Sequence, residues 1–221
     1  MDMLEIMKGR HSVRQYLDKP LTAETVSALT DKIDICNREG GLHIQLVTNE
    51  PKAFDGFMAR YGKFSGVTNY LALIGKKGPD LEERCGYYGE RLVLLAQEMG
   101  LNTCWVGLTY SKVKTAYTVG SGEKLCAVIA LGYGKTQGVP HKSKAMSEVA
   151  KVTGTMPEWF KVGMDAALLA PTAMNQQKFV FTLANGRVQA QAGSGFYTKM
   201  DLGIAKYHFE IGAGKENFQW A

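Results

Sequence analysis

The stretch from Asp80 to Met99 places the tightest limit on the architecture. Leu81, Cys85, Tyr88, Leu92, Leu95, Ala96 and Met99 fall on one stripe at helical spacing, and Gly100 stands where a helix C-cap belongs. Asp80 with Glu83 three residues on reads as a capping box. So long an apolar stripe has to be covered along its length, which predicts a central core helix with the rest of the chain wrapped around it. The 221 residues, 45% of them hydrophobic, suffice to bury roughly 70% of the unfolded surface in one core. Residues 1–221 are therefore read as one domain, and intrinsic disorder is excluded.

Other elements follow from the same kind of pattern. A short opening helix ends at Ile6–Arg10. A second begins after Thr22, a good N-cap, carries Val26, Leu29, Ile33 and Cys36 at steps of three and four, and stops at Gly40-Gly41. His43–Thr48 alternates as a strand, Pro51 opens a short helix, and Asn69–Gly75 and Lys124–Leu131 are apolar enough to be buried strands. A helix starts near Pro157 with Phe160, Met164, Ala167 and Leu168. Phe179–Ala184 and Val188–Ala192 flank Asn185-Gly186, a strong hairpin signal. A last helix spans Asp201–Ala213 with Asp201 as N-cap. The mixture indicates an α+β domain, with a mostly antiparallel central sheet flanked by helices. Val26–Asn49 and Met164–Asn185 share a helix, break and strand plan, which leaves internal duplication open.

Cys36, Cys85, Cys104 and Cys126 are far apart, with no C-x-x-C pair or zinc-ligand spacing, as expected in a reduced cytoplasm. The early acids Asp2 and Glu5 contradict a signal peptide, and no apolar run approaches the ~18 residues of a membrane helix, so a soluble cytoplasmic protein is expected. The net charge of +5 and pI of 8.9 come from dispersed lysines and arginines. They hint at an anionic ligand more than at nucleic acid, for which no basic stripe or motif is present. The histidines lie in no H-E-x-x-H context, and G-x-S-x-G and Walker A are absent. Gly132, Gly134 and Gly138 miss the dinucleotide spacing.

Four clusters can carry chemistry. In Arg10-His11-Ser12-Val13-Arg14, two guanidiniums with a hydroxyl and an imidazole between them suit a phosphate or a polar ring edge; an exposed basic loop is the alternative. In Ala170-Pro171-Thr172-Ala173-Met174-Asn175-Gln176-Gln177, three amides and a hydroxyl can donate and accept together around a heterocycle, or satisfy their own turn. Cys104-Trp105-Val106-Gly107 offers an aromatic that is either core or the wall of a ring slot, beside a glycine that permits close backbone approach; Cys104, with no evident base, reads as a buried thiol. The fourth is Gly132-Tyr133-Gly134 with His141-Lys142-Ser143-Lys144 beyond it.

In this order the clusters resemble the nitroreductase family of FMN-dependent oxidoreductases. Arg10-His11-Ser12-Val13-Arg14 resembles its opening R-x-S-x-R signature, and Ala170 to Gln177 its A-P-S-x-x-N-x-Q-P-W motif. Glu98 to Gly107 resembles the helix-to-loop segment beside the flavin, and Tyr133-Gly134 with Lys142 and Lys144 the late strand and basic loop. Thr172 replaces the Ser, and Lys178 and Phe179 replace the Pro-Trp. The A-P-S-x-x-N motif usually lies soon after R-x-S-x-R; here Cys36-Asn37-Arg38-Glu39-Gly40-Gly41 holds that place, as in a variant subgroup with rearranged order.

The resemblance implies a nitroreductase-like fold, FMN as cofactor, NADH or NADPH as donor, and a small nitroaromatic, quinone or other conjugated acceptor reduced through flavin N5. Arg10, His11, Ser12 and Arg14 would hold phosphate, ribityl or pyrimidine edge, and Lys142 and Lys144 the phosphate. Pro171, Thr172, Asn175 and Gln177 would lie on the other side of the flavin, with Trp105 and the backbone of Val106 and Gly107 near N5. No dedicated acid or base is implied. Members with the common order are intertwined homodimers with flavin at the interface, so a homodimer or a pseudo-dimeric monomer is expected. The rival reading is a non-catalytic flavin or nucleotide binder, a sensor or storage module.

Overall fold

The computed structural model describes residues 2–221. Helix α1 (Met3–Gly9) is capped by the Asp2 carboxylate, which accepts the Leu4 N–H at 3.2 Å. Helix α2 (Ala23–Gly40) starts on the Thr22 hydroxyl and ends at Gly41 with φ 57°. Then follow β1 (Gln45–Val47), α3 (Phe57–Tyr61), β2 (Asn69–Lys76), α4 (Leu81–Glu98), β3 (Asn102–Val106), β4 (Glu123–Gly132), α5 (Met146–Val149), β5 (Ala150–Val152), α6 (Glu158–Ala167), β6 (Phe179–Ala184), β7 (Arg187–Ala192), α7 (Thr198–Ala213) and β8 (Gln219–Trp220). Pro51 opens a single 3₁₀ turn, Lys52–Phe54. No helix is long and apolar enough to cross a membrane.

The α+β class with antiparallel pairing is observed, but the strands divide between two four-stranded sheets. The first has the order β1-β2-β4-β3 and is antiparallel throughout. The second has the order β5-β6-β7-β8, with an antiparallel hairpin at its centre and parallel pairs outside. In that hairpin Asn185 and Gly186 take φ 53° and 73°, the pair of left-handed residues that a type I′ turn demands.

Strand β2 explains why its sequence is apolar without interruption. Tyr70, Ala72 and Ile74 point into a core with Phe54, Phe64 and Tyr110, whereas Leu71 and Leu73 point into the core beneath α4. Both faces are buried, so alternation is lost. Helix α7 covers the second sheet through Ile204, Ala205 and Phe209, against Phe160, Phe179 and Phe181.

Helices α4 and α7 pack directly on each other through a pair of glycines. A Cβ on Gly86 would stand 2.0 Å from the Met200 carbonyl oxygen, and one on Gly203 would stand 2.0 Å from that of Glu83. The backbones touch because neither helix has a side chain there. The central helix is thus one of a central pair. Two expected caps do not form. Asp80 makes no capping bond to α4 and pairs instead with Arg84 at 3.0 Å, and Asp201 lies inside the first turn of α7, where its carboxylate serves another loop.

Candidate functional site

The segment after α1 runs in extended form beside β3. The Val13 N–H donates to Thr103 O at 3.0 Å, the Tyr16 hydroxyl to Val13 O at 2.7 Å and the Tyr16 N–H to Ser65 O at 2.9 Å. Val13 and Tyr16 are buried, and alternation turns Ser12 and Arg14 outward. Arg14 reaches a cleft of about 370 Å³ that it lines with Trp105, Thr109 and the segment Tyr61–Phe64. Its guanidinium carbon lies 6.0 Å from the centre of the Phe64 ring. Trp105 is both wall and core: it lines this cleft and packs over Gly89, where a Cβ would meet the ring at 2.5 Å. Val106 is buried, and the Gly107 backbone is covered by the ring of Tyr197. Cys104 is a buried thiol, pushed up in pKa by burial.

Beneath Trp105 sits a polar network that crosses the central pair. The Trp105 indole N–H donates to Glu90 Oε2 at 2.9 Å, and His208 Nε2 faces Glu90 Oε1 at 2.9 Å. His208 Nδ1 lies 3.1 Å from the Ala166 carbonyl. That carbonyl can only accept, so Nδ1 carries a hydrogen. Glu90 and His208 are both wholly buried. Arg10, 3% exposed, has its Nε 4.0 Å from Glu90 Oε1, beyond hydrogen-bond reach, and that Nε has no partner. Burial pushes its pKa down, opposed by Glu90. The outcome is a buried guanidinium with a carboxylate at the edge of ion-pair distance and an Nε that has no hydrogen-bond partner. His11 adds a second buried unpartnered nitrogen, Nε2, while its Nδ1 lies 3.0 Å from Gln137 O.

The loop after α6 is braced from two sides. Asp201 accepts the Ala173 N–H at 2.9 Å and the Gln176 amide at 2.7 Å. Burial pushes the Asp201 carboxyl up to about 6, against the pull of those two donors. Gln177 is buried and its amide is fully used: Oε1 accepts the Lys144 N–H, and Nε2 donates to Lys142 O and Asn175 Oδ1. Asn175 also donates to Lys142 O, and the Thr172 hydroxyl accepts the Gln177 N–H. The amides thus satisfy a turn, with Met174, Asn175 and Gln177 at φ 52°, 54° and 44°. Pro171 is buried at its base. Lys144 Nζ donates to Gln177 O, so the exposed Lys142 is the lysine of the pair whose ammonium has no bond among the described residues.

Residues 134–144 tie the two clusters together. At one end Gly138 lies against His11 and Ser12; at the other the Lys142 carbonyl and Lys144 N–H bind the Asn175 and Gln177 amides. Between them His141 Nε2 and the Ser143 hydroxyl reach the Leu168 carbonyl, and burial with nearby Arg10 holds His141 below the usual histidine range. Sequence reasoning missed Glu90 and His208, which sit at ordinary helix positions, and the Tyr61–Phe64 wall, which carries no motif. It read Asp201 as the N-cap of the last helix, whereas its carboxylate holds the 173–176 loop.

The family model described as "Putative TM nitroreductase" matches residues 2–213. The fold is similar to that of a putative nitroreductase of Thermotoga maritima, with 21% identity, 98% of this chain and 85% of that chain covered and a TM-score of 0.66. It is also similar to a nitroreductase-like protein of Streptococcus mutans (14% identity, 69% and 98% covered, TM-score 0.58). A third similar structure is a nitroreductase of Desulfovibrio desulfuricans in complex with FMN (16% identity, 71% and 99% covered, TM-score 0.55). No curated protein sequence matches.

Proposed function

The chain belongs to the TM nitroreductase family, and from that premise we propose that it is an FMN-dependent oxidoreductase, passing reducing equivalents from NADH or NADPH to a small conjugated acceptor such as a nitroaromatic or quinone. Arg10 carries this reading. A buried guanidinium whose carboxylate neighbour stays 4.0 Å away and whose Nε has no hydrogen-bond partner is costly unless an anion completes it. The phosphate of FMN is such an anion, and the FMN in the Desulfovibrio structure supports the choice.

When bound, FMN supplies hydride acceptance and donation at N5. Arg10 and Arg14 provide cationic donors for phosphate and ring edge, with Ser12 between them and Lys142 at the far end of the strap. Thr172, Asn175 and Gln177 act through the turn they brace, which presents a preformed wall and lowers the ordering cost of binding. Trp105 offers a flat apolar face whose indole N–H is held by Glu90. Tyr197 shields the Gly107 backbone from water.

The test is the visible spectrum of the purified protein with FMN, before and after anaerobic NADH or NADPH. Bleaching of bound flavin, reversed by a quinone, is the expected result. Flavin that binds and does not bleach would point to the storage or sensor reading. Arg14→Ala should weaken FMN binding about ten- to a hundredfold, the range of one lost charged hydrogen bond; unchanged affinity would remove Arg14 from the site.

A further inference from the structure

The chain repeats a five-element run. In α2-β1-β2-α4-β3 and in α6-β6-β7-α7-β8 the first two strands are antiparallel. The third strand runs parallel to the second in both: β8 pairs directly with β7, and β3 reaches the same direction through β4, which is antiparallel to β2 and β3.

The crossing of α4 and α7 turns this likeness into a geometric relation. Gly86 and Gly203 occupy the same position counted from the start of each helix. A Cβ on Gly86 would meet Met200 O at 2.0 Å and Ile204 N at 3.1 Å; one on Gly203 would meet Glu83 O at 2.0 Å and Tyr87 N at 2.8 Å. Met200 and Glu83 each lie three residues before the facing glycine, and Ile204 and Tyr87 one after it. Exchanging the helices exchanges the contacts, as a local two-fold axis requires.

Further pairs obey the same exchange. With the glycines aligned, Gly89 matches Lys206: Trp105 on β3 packs over the first, and the Trp220 ring on β8 lies 5.2 Å from the ammonium of the second. Each indole N–H donates to a glutamate of the helix before it, Trp105 to Glu90 and Trp220 to Glu210, but from different turns: with the glycines aligned Glu90 matches Tyr207 and Glu210 matches Val93. Beside Trp220 is a groove of about 330 Å³. The two cations that line it already have carboxylates: Lys206 pairs with Glu83 and Arg84 with Asp80. The loop after α2 that faces this side spans only residues 41–44, against 168–178 after α6.

We propose that the chain is an internal duplication whose two halves build one flavin site within a single polypeptide, and that the equivalent groove beside Trp220 takes no flavin. This rests on the cofactor reading above. The strap at 134–144 joins the Arg10–Arg14 segment of one half to the 170–177 turn of the other inside one chain. An anion entering the Trp220 groove would have to displace two existing ion pairs, whereas the buried Arg10 Nε has no hydrogen-bond partner.

The experiment is FMN titration of the full-length chain, followed by sedimentation with detection at the flavin absorbance. One equivalent per chain, sedimenting with a 24.3 kDa species, is expected. Trp220→Ala should leave stoichiometry and affinity unchanged, within twofold, while Arg14→Ala loses ten- to a hundredfold. Flavin confined to a species of two chains would overturn the single-chain site. Two equivalents per chain would overturn the silent groove. No flavin binding at all would overturn the cofactor reading, and the single-chain site with it.

Discussion

The loops that follow α2 and α6 are held by residues at the same position of the two central helices, yet with opposite polarity. Two residues before its glycine, α4 carries Arg84, which donates to the carbonyls of Gly40 and Gly41. At the matching place α7 carries Asp201, which accepts from the Ala173 N–H and the Gln176 amide. A cation takes the carbonyls that a helix end leaves unpaired. It therefore ties the short loop down at the helix terminus itself. An anion takes N–H groups, which Asp201 finds further along the longer loop, and the turn is left standing with Thr172 and Asn175 around it. One change of charge accompanies a short loop over an ion-paired groove on one side and a longer braced turn on the other.

The largest expected effect separates the two glutamates that hold the tryptophans. Glu90 is wholly buried between His208, Trp105 and Arg10, so Glu90→Gln should cost about 3–5 kcal/mol of stability, much of it from the charge left without compensation. Glu210 is itself 8% exposed and accepts from Trp220 and Tyr87, but its cationic partner Lys215 is 67% exposed and can be solvated without it, so Glu210→Gln should cost about 2 kcal/mol. Urea denaturation of both variants measures the difference, and equal losses would break the contrast between a charged core and a solvated groove. The glycines test the opposite claim, that the crossing is the same from either side. Gly86→Ala and Gly203→Ala should each cost about 3 kcal/mol, because the new methyl meets backbone that no rotamer change can move. If one is tolerated and the other is not, the two-fold relation has no energetic content.

Local rules reached one part of the molecule well and the other poorly. The stripe of α4, the Thr22 cap and the Asn185-Gly186 turn are decided by residues within a few positions of one another, and each formed as its spacing required. Asp80 and Asp201 looked like caps for the same reason, but tertiary partners, Arg84 and the Ala173 loop, won both carboxylates. The division into two sheets was not legible, since strand pairing joins distant segments and β3 carries no alternation of its own. The motifs could not say which amides would be consumed within their own loops: Gln177 spends both ends of its side chain on the turn. The Glu90–His208 pair had no signal at all, because a buried polar couple across two helices shows only in three dimensions.

Asp201 gives the braced loop a pH dependence. Its pKa is raised from 3.8 to about 6, chiefly by burial, so the folded state holds a proton that the unfolded chain releases between those values. The stabilisation is fully present below about 3.8 and is lost as pH rises through 6. Two pKa units correspond to about 3 kcal/mol. The stability advantage of the wild type over Asp201→Asn should therefore shrink by up to that amount between pH 3.5 and 7, read from denaturation midpoints. A difference that stays flat with pH would mean that the carboxylate is ionised throughout and that its two donors outweigh its burial.

The smallest effect is the most discriminating. Arg84→Met keeps the aliphatic stem and removes two bonds to carbonyls and a partly exposed ion pair with Asp80, at a cost of about 1 kcal/mol. FMN affinity should not change, because the loop that Arg84 anchors faces the groove proposed to be silent. Asp201→Ala removes two bonds as well, but from the turn proposed above to contact the flavin, and should weaken FMN about tenfold through the ordering that binding must then supply. Calorimetric titration of both variants sets an anchor against its counterpart with the helix position held constant. Equal losses of affinity would show that either loop can report on the flavin, and the division of the two halves into one binding side and one structural side would fail.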